Sequence, residues 1–384
     1  MTRLPLEGIT VVSFEQAVAA PFATRQLADL GARVIKIERD TGDFARAYDT
    51  KVRGMASYFV WLNRSKESVV LDLKSADGMQ AARALIARAD VFVQNLAPGA
   101  VERMGLGATA ALEINPRLVH VSISGYGETG PYRNKKAYDL LVQCEAGLVS
   151  ITGTEDHPSK VGISIADIAA GMYAYSGVLS ALIQRGVTGE GQRVEVSMLE
   201  ALAEWMGHPY FYSEYGGAAP PRTGAAHATI APYGPYECAD GTVFLAVQNE
   251  REWQRFCREV LADETLAVDP RFAGNATRVD RRGELDDAIA PRLQKLTRLQ
   301  LMERLDAASI ANAELRDVSG LAHHPQLEAR ERWRDVDSPV GALRSLIPPV
   351  TADWGWRMDA VPALGADTER VLRELALPPV SGGR

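Results

Sequence analysis

The stretch "GITVVSFEQAVAAPFATRQLADLGARVIKIE", Gly8 to Glu38, decides the fold. It opens on a short run rich in β-branched residues, "GITVVSFE". The segment "APFATRQLADLGA" then carries apolar residues at helical spacing, and "RVIKIE" is a second β-rich run. Gly31 stands where a helix ends on a residue that accepts left-handed backbone. Working outward, "SVVLDL" (Ser68–Leu73) is another strand, followed by the helix "SADGMQAARALIARA" with Ser75 as N-cap; "DVFVQN" and "LVHVSISG" are two more strands around a short helix. Strand and helix alternating at this spacing predict a parallel sheet covered on both faces, a Rossmann-like α/β organisation. The dinucleotide fingerprint is missing: "EQAVAAPFA" follows the first strand where GxGxxG would stand, which disfavours a NAD-dependent dehydrogenase. "GETG" and "TGEGQ" read as turns.

Further along, "ISIADIAAGMYAYSGVLSAL" (Ile163–Leu182) is a buried helix ending near Gly186, with Asp167 in its first turn. Ser164-x-x-Asp167 has the spacing of a capping box, which gives Asp167 a purely structural reading. "GQRVEVSML" is a strand running into a helix that reaches about Tyr215. "GGAAPPRTGAAHATIAPYGP" (Gly216–Pro235) has linker composition. Beyond it lie the strand "TVFLAV" and helices opening on Asn249…Glu252 and Thr297…Gln300. The expected domains are residues 1–215 as the first part of a large domain, 216–235 as linker, 236–320 as a small domain and 321–384 as a return to the large one.

Composition bounds the function. The chain has 384 residues, 46% hydrophobic and 24% charged, with a net charge of -7 and no basic block; nucleic acid is a poor partner for such a chain. Cys144, Cys238 and Cys257 form no CxxC pair, so neither a disulfide framework nor a zinc site is expected, and a reducing compartment suits them. The N-terminal stretch has no signal-peptide core, and no apolar run reaches the ~18 residues of a membrane span. A cytoplasmic protein without membrane contact is the expectation.

An ordered set of motifs then carries a resemblance. "PLEGITVV", "APFATRQLADLGARVIKIE", "NRSKESVVLDLK", "QNLAPGAVERMGL", "SGYGETGPY", "AYDLLVQCEAGL", "TGEGQRVEVSMLEA" and "HHPQLEARERW" follow one another across essentially the whole chain. Together they resemble the class III coenzyme A transferases, the family of formyl-CoA transferase and carnitine CoA-transferase. "AHATIAPYGP" (Ala226–Pro235) is similar to a segment of the members acting on itaconate, citramalate and related C4–C5 dicarboxylates. The resemblance implies a Rossmann-like large domain built from both chain ends, a smaller inserted domain and an interlocked homodimer.

It also implies a chemistry. Asp167 falls on the family's catalytic aspartate, which attacks an acyl-CoA thioester, passes through a mixed anhydride and becomes an aspartyl-CoA thioester. Succinyl-CoA is the implied donor and a small carboxylic acid the acceptor. Coenzyme A is then a substrate, with no tightly bound cofactor and no metal. An aspartate with the reference pKa of about 3.9 is ionised at neutral pH and needs no general base. The family's CoA contacts map onto Arg39, Lys74, Asn95, Arg103 and Lys136, each of which alone would read as a solvated charge or a turn residue. For a second acceptor carboxylate the candidates are His227 and Tyr236, with Arg46 and Arg64. Val18 stands where formyl-CoA transferase has a glutamine, Gln16 lies two residues earlier, and that enzyme's glycine-rich lid has no counterpart. Two alternatives stay open: an α-methylacyl-CoA racemase, against which Tyr138 replaces the family's histidine before Asp139, and a non-catalytic acyl-CoA-binding protein. The pair His323–His324 reads as a turn.

Overall fold

The computed structural model describes residues 3–377. Six parallel strands make the central sheet: β1 (Thr10–Phe14), β2 (Arg33–Glu38), β3 (Lys66–Val70), β4 (Val91–Gln94), β5 (Val119–Ser124) and β6 (Gln192–Ser197), in the spatial order β3-β2-β1-β4-β5-β6. The helices that matter for the site are α1 (Ala19–Asp29), α2 (Ser57–Leu62), α3 (Ala76–Arg88), α4 (Asp139–Glu145), α5 (Ile165–Thr188) and α6 (Met198–Trp205). Strand order reverses between β1 and β4, and open α/β sheets bind ligands outside the carboxyl ends of the strands at such a point.

The two faces of β1–β3 are buried in different ways. Val12, Phe14, Ile35, Ile37, Val69 and Leu71 form an apolar face. It is covered by Ala82, Leu85 and Ile86 of α3 and by Val371 and Leu372 of the C-terminal helix (Thr368–Glu374), so both ends of the chain enter one core. On the other face Ser13, Lys36 and Ser68 lie side by side in register, flanked by Glu15, Glu38 and Lys66, and all six are buried. The charged groups of that layer are paired and hydrogen-bonded, as buried charges must be to survive removal from water, while the Ser13 hydroxyl makes no hydrogen bond among the described residues.

Local signals explain most element ends. Gly31 follows α1 with φ +103°, and Ser75 Oγ accepts from the Gly78 N–H at the start of α3. The third strand begins two residues before "SVVLDL" and stops at Val70, because the Asp72 carbonyl accepts from the Ser75 N–H and turns the chain into α3. Helix α5 runs to Thr188, two residues past the expected end, and closes on left-handed Gly189. Its 24 residues are long and apolar enough to cross a membrane, which corrects the expectation that no such run exists. Here the helix packs against α1, α4, α6, β5 and β6.

The chain divides into two compact units. One comprises residues up to Ala146, Gly162–Met206 and residues from Leu327; the other comprises Gly147–Val161 and Gly207–Gln326. The division differs from the expected one at several boundaries: the 216–235 segment lies inside the second unit, and that unit runs on to Gln326. The segment Gly147–Val161 goes with the second unit because Arg222 donates to the carbonyls of Ser150, Thr154 and Glu155. The helix α7 (Gly207–Gly216), expected within the first large segment, also belongs there. The second unit holds an antiparallel sheet, β7 (Tyr233–Cys238), β8 (Gly241–Ala246) and β9 (Ala311–Glu314), over a core that includes Trp253, Phe256, Phe272, Leu285 and Leu301.

Candidate active site

Asp167 does not cap its own helix. Ser164 makes no capping bond; its Oγ lies 3.1 Å from the Tyr58 hydroxyl. The Ala166 N–H at the mouth of α5 is taken by Asp139 Oδ1 at 2.8 Å, while Asp139 Oδ2 accepts from Gln143 at 2.7 Å. The Asp167 carboxylate instead faces the backbone N–H of Ala19, in the first turn of α1. Gly171 makes that approach possible: a Cβ there would stand 2.7 Å from the Ala19 carbonyl and 3.0 Å from the Phe22 ring. With Ala166, Ala169, Ala170 and Ala174 all fully buried, α1 and α5 meet on small residues.

This pocket changes the acidity of Asp167. Burial and the neighbouring Asp139 push its carboxyl up to about 7, against the Ala19 N–H, which favours the ionised form. The full ionisation at neutral pH inferred from the reference pKa is thereby corrected: near pH 7 about half the molecules carry the charge. Three phenols share this environment. Burial, Asp43, Asp167, Tyr138 and Tyr58 together push Tyr48 up to about 12, so it remains a hydrogen-bond donor. Tyr48 meets Tyr58 edge-on at 5.7 Å, and Trp61 lies 6.3 Å from Tyr58. Tyr138, 65% exposed, immediately precedes α4.

Beneath the pocket lies the ionic layer. Glu15 Oε1 accepts from Lys66 Nζ at 2.6 Å and Glu15 Oε2 from Thr24 at 2.6 Å; Lys36 Nζ donates to Asp43 Oδ2 at 2.7 Å. Two arginines expected to meet the acceptor belong to internal pairs instead. Arg46 is bidentate on Glu38, at 2.8 and 2.7 Å, and stacks on Phe59 at 3.6 Å. Arg64 is bidentate on Asp29, at 2.8 and 2.7 Å, and is buried. Their forks are filled, and we remove both from the acceptor set.

The remaining candidates divide by unit. Arg39, Lys74, Arg103 and Lys136 are exposed, and among the described residues none has an ion-pair partner. In the chain they follow β2, β3, β4 and β5 respectively. Asn95 differs from them: its Oδ1 accepts from the Gln16 N–H and its Nδ2 donates to the Gln16 carbonyl, both at 2.9 Å. In the second unit the Tyr236 hydroxyl donates to Asp286 at 3.0 Å from within the core, and burial with Asp286 holds its phenol above the usual range. That hydroxyl is engaged in packing. His227 stacks on Tyr233 at 5.0 Å, and its Nδ1 accepts from the Thr229 N–H at 3.2 Å. His324 Nδ1 accepts from the Gln326 N–H at 3.1 Å, as a turn residue does.

The match to a family model decides the identity. Residues 6–368 match the model of CoA-transferase family III. The chain belongs to CoA-transferase family III. Among curated relatives, it is 32% identical to a succinate–glutarate CoA-transferase of Agrobacterium fabrum, over 97% of this chain and 96% of the relative. It is 31% identical to a succinyl-CoA–D-citramalate CoA-transferase of Chloroflexus aurantiacus, over 97% and 94%. Among solved structures, a CAIB/BAIF family protein from Brucella suis aligns with a TM-score of 0.85 at 32% identity, covering 97% of this chain and all of that one. An aspartate-to-alanine mutant of a Mycobacterium tuberculosis protein aligns with a TM-score of 0.87 at 26% identity, over 97% and 99%.

In this family III CoA-transferase, the neighbours of Asp167 were only partly legible beforehand. Tyr138 and Asp139 drew notice solely as a departure from the racemase pair. Tyr48 and Tyr58 carried no signal: each sits in an irregular or short segment, and only the tertiary fold brings them beside Ser164 and Asp167.

Proposed function

We propose that Asp167 is the nucleophile of a CoA transfer from succinyl-CoA to a small dicarboxylate. The observation that carries this reading is a half-buried carboxylate raised to about 7, without a cation, facing the N-terminus of α1. A raised pKa makes an oxygen a stronger nucleophile, and the α1 N-terminus favours the negative charge that builds as it attacks. The Asp167 oxygen attacks the thioester carbonyl carbon; the C–S bond breaks, the CoA thiolate leaves and a mixed anhydride remains. The thiolate then attacks the Asp167 carbonyl carbon, forming aspartyl-CoA and releasing the donor carboxylate. The acceptor carboxylate attacks aspartyl-CoA, releasing thiolate, and the thiolate attacks the acceptor's acyl carbon of the new anhydride to regenerate Asp167. Each step exchanges one anion for another, so no net proton moves and no general base is required.

The exposed cations Arg39, Lys74, Arg103 and Lys136 fit the phosphates of coenzyme A, because among the described residues none is held in an ion pair and each is available to an anionic ligand. The hydroxyls of Tyr48, Tyr58 and Tyr138 are the donors best suited to the acceptor's second carboxylate. The relatives acting on glutarate and citramalate support a four- or five-carbon diacid; itaconate belongs to the same class. We further propose a homodimer. Helix α7 exposes Tyr210, Phe211 and Tyr215, with Phe211 and Tyr215 stacked at 5.8 Å, a surface suited to burial by a second copy. A cytoplasmic location accords with coenzyme A as substrate.

The decisive experiment incubates the protein with succinyl-CoA and quenches with hydroxylamine. A hydroxamate mapped by mass spectrometry to Asp167 is the expected product. Full turnover with no adduct at that residue would refute the covalent route. Rates with succinate, glutarate and itaconate, each compared with a matched monocarboxylate, test the acceptor class; equal kcat/KM for diacid and monoacid would remove the dicarboxylate assignment.

A further inference from the structure

The connection between β1 and α1 is held more firmly than a chain reversal requires. Three consecutive residues are each fixed by a side chain from elsewhere. Glu15 is bound by Thr24 and Lys66, and Lys36 lies 3.5 Å from it. The backbone of Gln16 is read in both directions by Asn95, N–H and carbonyl each at 2.9 Å. The Ala17 N–H donates to Asp43 Oδ1 at 3.1 Å, and that oxygen also accepts from Ala45 at 2.9 Å while Lys36 holds the second oxygen. Ala17 itself has φ +61°, a left-handed conformation that a residue with a Cβ keeps only when its surroundings impose it. Two residues later comes the N–H that meets Asp167. Helix α1 supplies no side-chain cap of its own: Val18, at the N-cap, is apolar.

We propose that Asp43 and Asn95 are positioning residues, which clamp the turn at residues 16–18 so that the Ala19 N–H is aimed at the Asp167 carboxylate. The proposal rests on the reading of Asp167 as nucleophile and gives Asn95 a different task from the coenzyme A contact expected of it. Asp43 holds this turn through Ala17 and is itself held by Lys36 behind it; it also caps the segment that leads to Tyr48, whereas Asn95 acts on the turn alone. The groups facing Asp167 are Asp139 from α4, Tyr48 from the segment after β2 and the Ala19 N–H from α1; on its own helix, Ser164 is engaged by Tyr58. Of these only the Ala19 N–H, at the N-terminus of α1, favours the ionised form. Releasing the clamp therefore leaves burial and Asp139 less opposed, and ionisation of the nucleophile moves to higher pH.

The test compares the full-length wild type with Asp43→Asn and Asn95→Ala. Transfer from succinyl-CoA to glutarate is followed from about pH 5.5 to 9, with kcat and KM resolved at each pH. In both variants the acid limb is expected to move up by about one pH unit and kcat at pH 7 to fall about fivefold, with KM for succinyl-CoA changing less than about twofold. An unmoved acid limb in Asn95→Ala overturns the proposal, and a fivefold or larger rise in its KM with the limb in place assigns Asn95 to coenzyme A binding. Asn95 is neutral and half-buried, so its variant carries the test should Asp43→Asn, which weakens the support of buried Lys36, fail to fold. Asp167→Ala is run in parallel. Should that variant retain turnover, the nucleophile reading and the positioning role fall together; should it be inactive while Asn95→Ala keeps the wild-type profile, only the positioning role is lost.

Discussion

Two acidic neighbourhoods of the large unit are built in opposite ways. In the ionic layer Glu15, Glu38 and Asp43 face Lys36, Lys66 and Arg46, carboxylate for cation. Around Asp167 the nearest charge is a second carboxylate, Asp139, and the other neighbours are phenols and a backbone N–H. Burial acts on both. In the first it is outweighed: against its pull, Arg46, Lys36 and Ser68 hold Glu38 at about 2, and Lys66 and Lys36 keep Glu15 below its usual value. In the second it wins, and Asp167 rises to about 7. Where the cations stand therefore decides the sign. A neutralised layer serves as rigid support, and a carboxylate denied a cation is poised to react.

The largest effect expected from this contrast is on chemistry. Asp167→Ala removes the attacking oxygen, and transfer should fall by at least about 10³-fold. Near-normal turnover in a coupled thioester assay would break the comparison at its root. Next comes the support. Lys66→Met leaves Glu15 buried without its shortest ion pair, at 2.6 Å, and removing one partner of a buried pair costs about 3–5 kcal/mol. Urea unfolding should register a loss of that order. A change below about 1 kcal/mol would mean that Lys36 alone neutralises Glu15.

A third test separates the two neighbourhoods by pH. The carboxyl of Asp167 titrates near 7 in the fold and near 3.8 when unfolded, so its favourable contribution is complete below about pH 4 and is lost as pH rises through about 7. Asp167→Asn carries no such penalty. It should unfold at nearly the wild-type urea midpoint at pH 4, and by pH 8 be more stable by about 2–4 kcal/mol. A variant equally stable at both pH values would show that the pocket does not strain the charge.

The sequence announced the support poorly and the chemistry better. Alternation in "RVIKIE" was legible as a strand, yet periodicity treats Lys36 and Glu38 as solvent-facing; they are buried because α1 and the segment around Asp43 cover that face. For the same reason Arg46 and Arg64 read as free cations, although each meets its carboxylate only after folding, from 8 and 35 residues away in sequence. Asp167 stood out because a carboxylate among alanines and glycine is anomalous in any helix pattern. Its raised pKa did not, since Asp139 is 27 residues from the amide it caps. The caps of Ser75 and Thr297 were legible because their partners are three residues away. Distance along the chain, rather than residue type, set what was readable.

The contrast extends to the cations, and here the expected effect is smallest. Lys36, Lys66 and Arg64 are paired and buried and Arg46 is paired and half-buried, whereas Arg39, Lys74, Arg103 and Lys136 stand exposed without ion-pair partners among the described residues. A solvated cation meeting a phosphate contributes little by itself, on the order of 0.5–1 kcal/mol, and salt screens it. Single alanine substitutions at Lys74 or Arg103 should therefore raise KM for succinyl-CoA about two- to fivefold at low salt, leave kcat unchanged and preserve the urea midpoint. In about 0.5 M salt the KM difference should shrink toward nothing. The same substitution at Lys66 reverses every one of these readouts, because there the cation supports the fold and meets no ligand. A loss of stability in Lys74→Ala, or a KM unmoved at low ionic strength, would return that residue to the ordinary solvated surface and narrow the anion-binding set to the cations that remain.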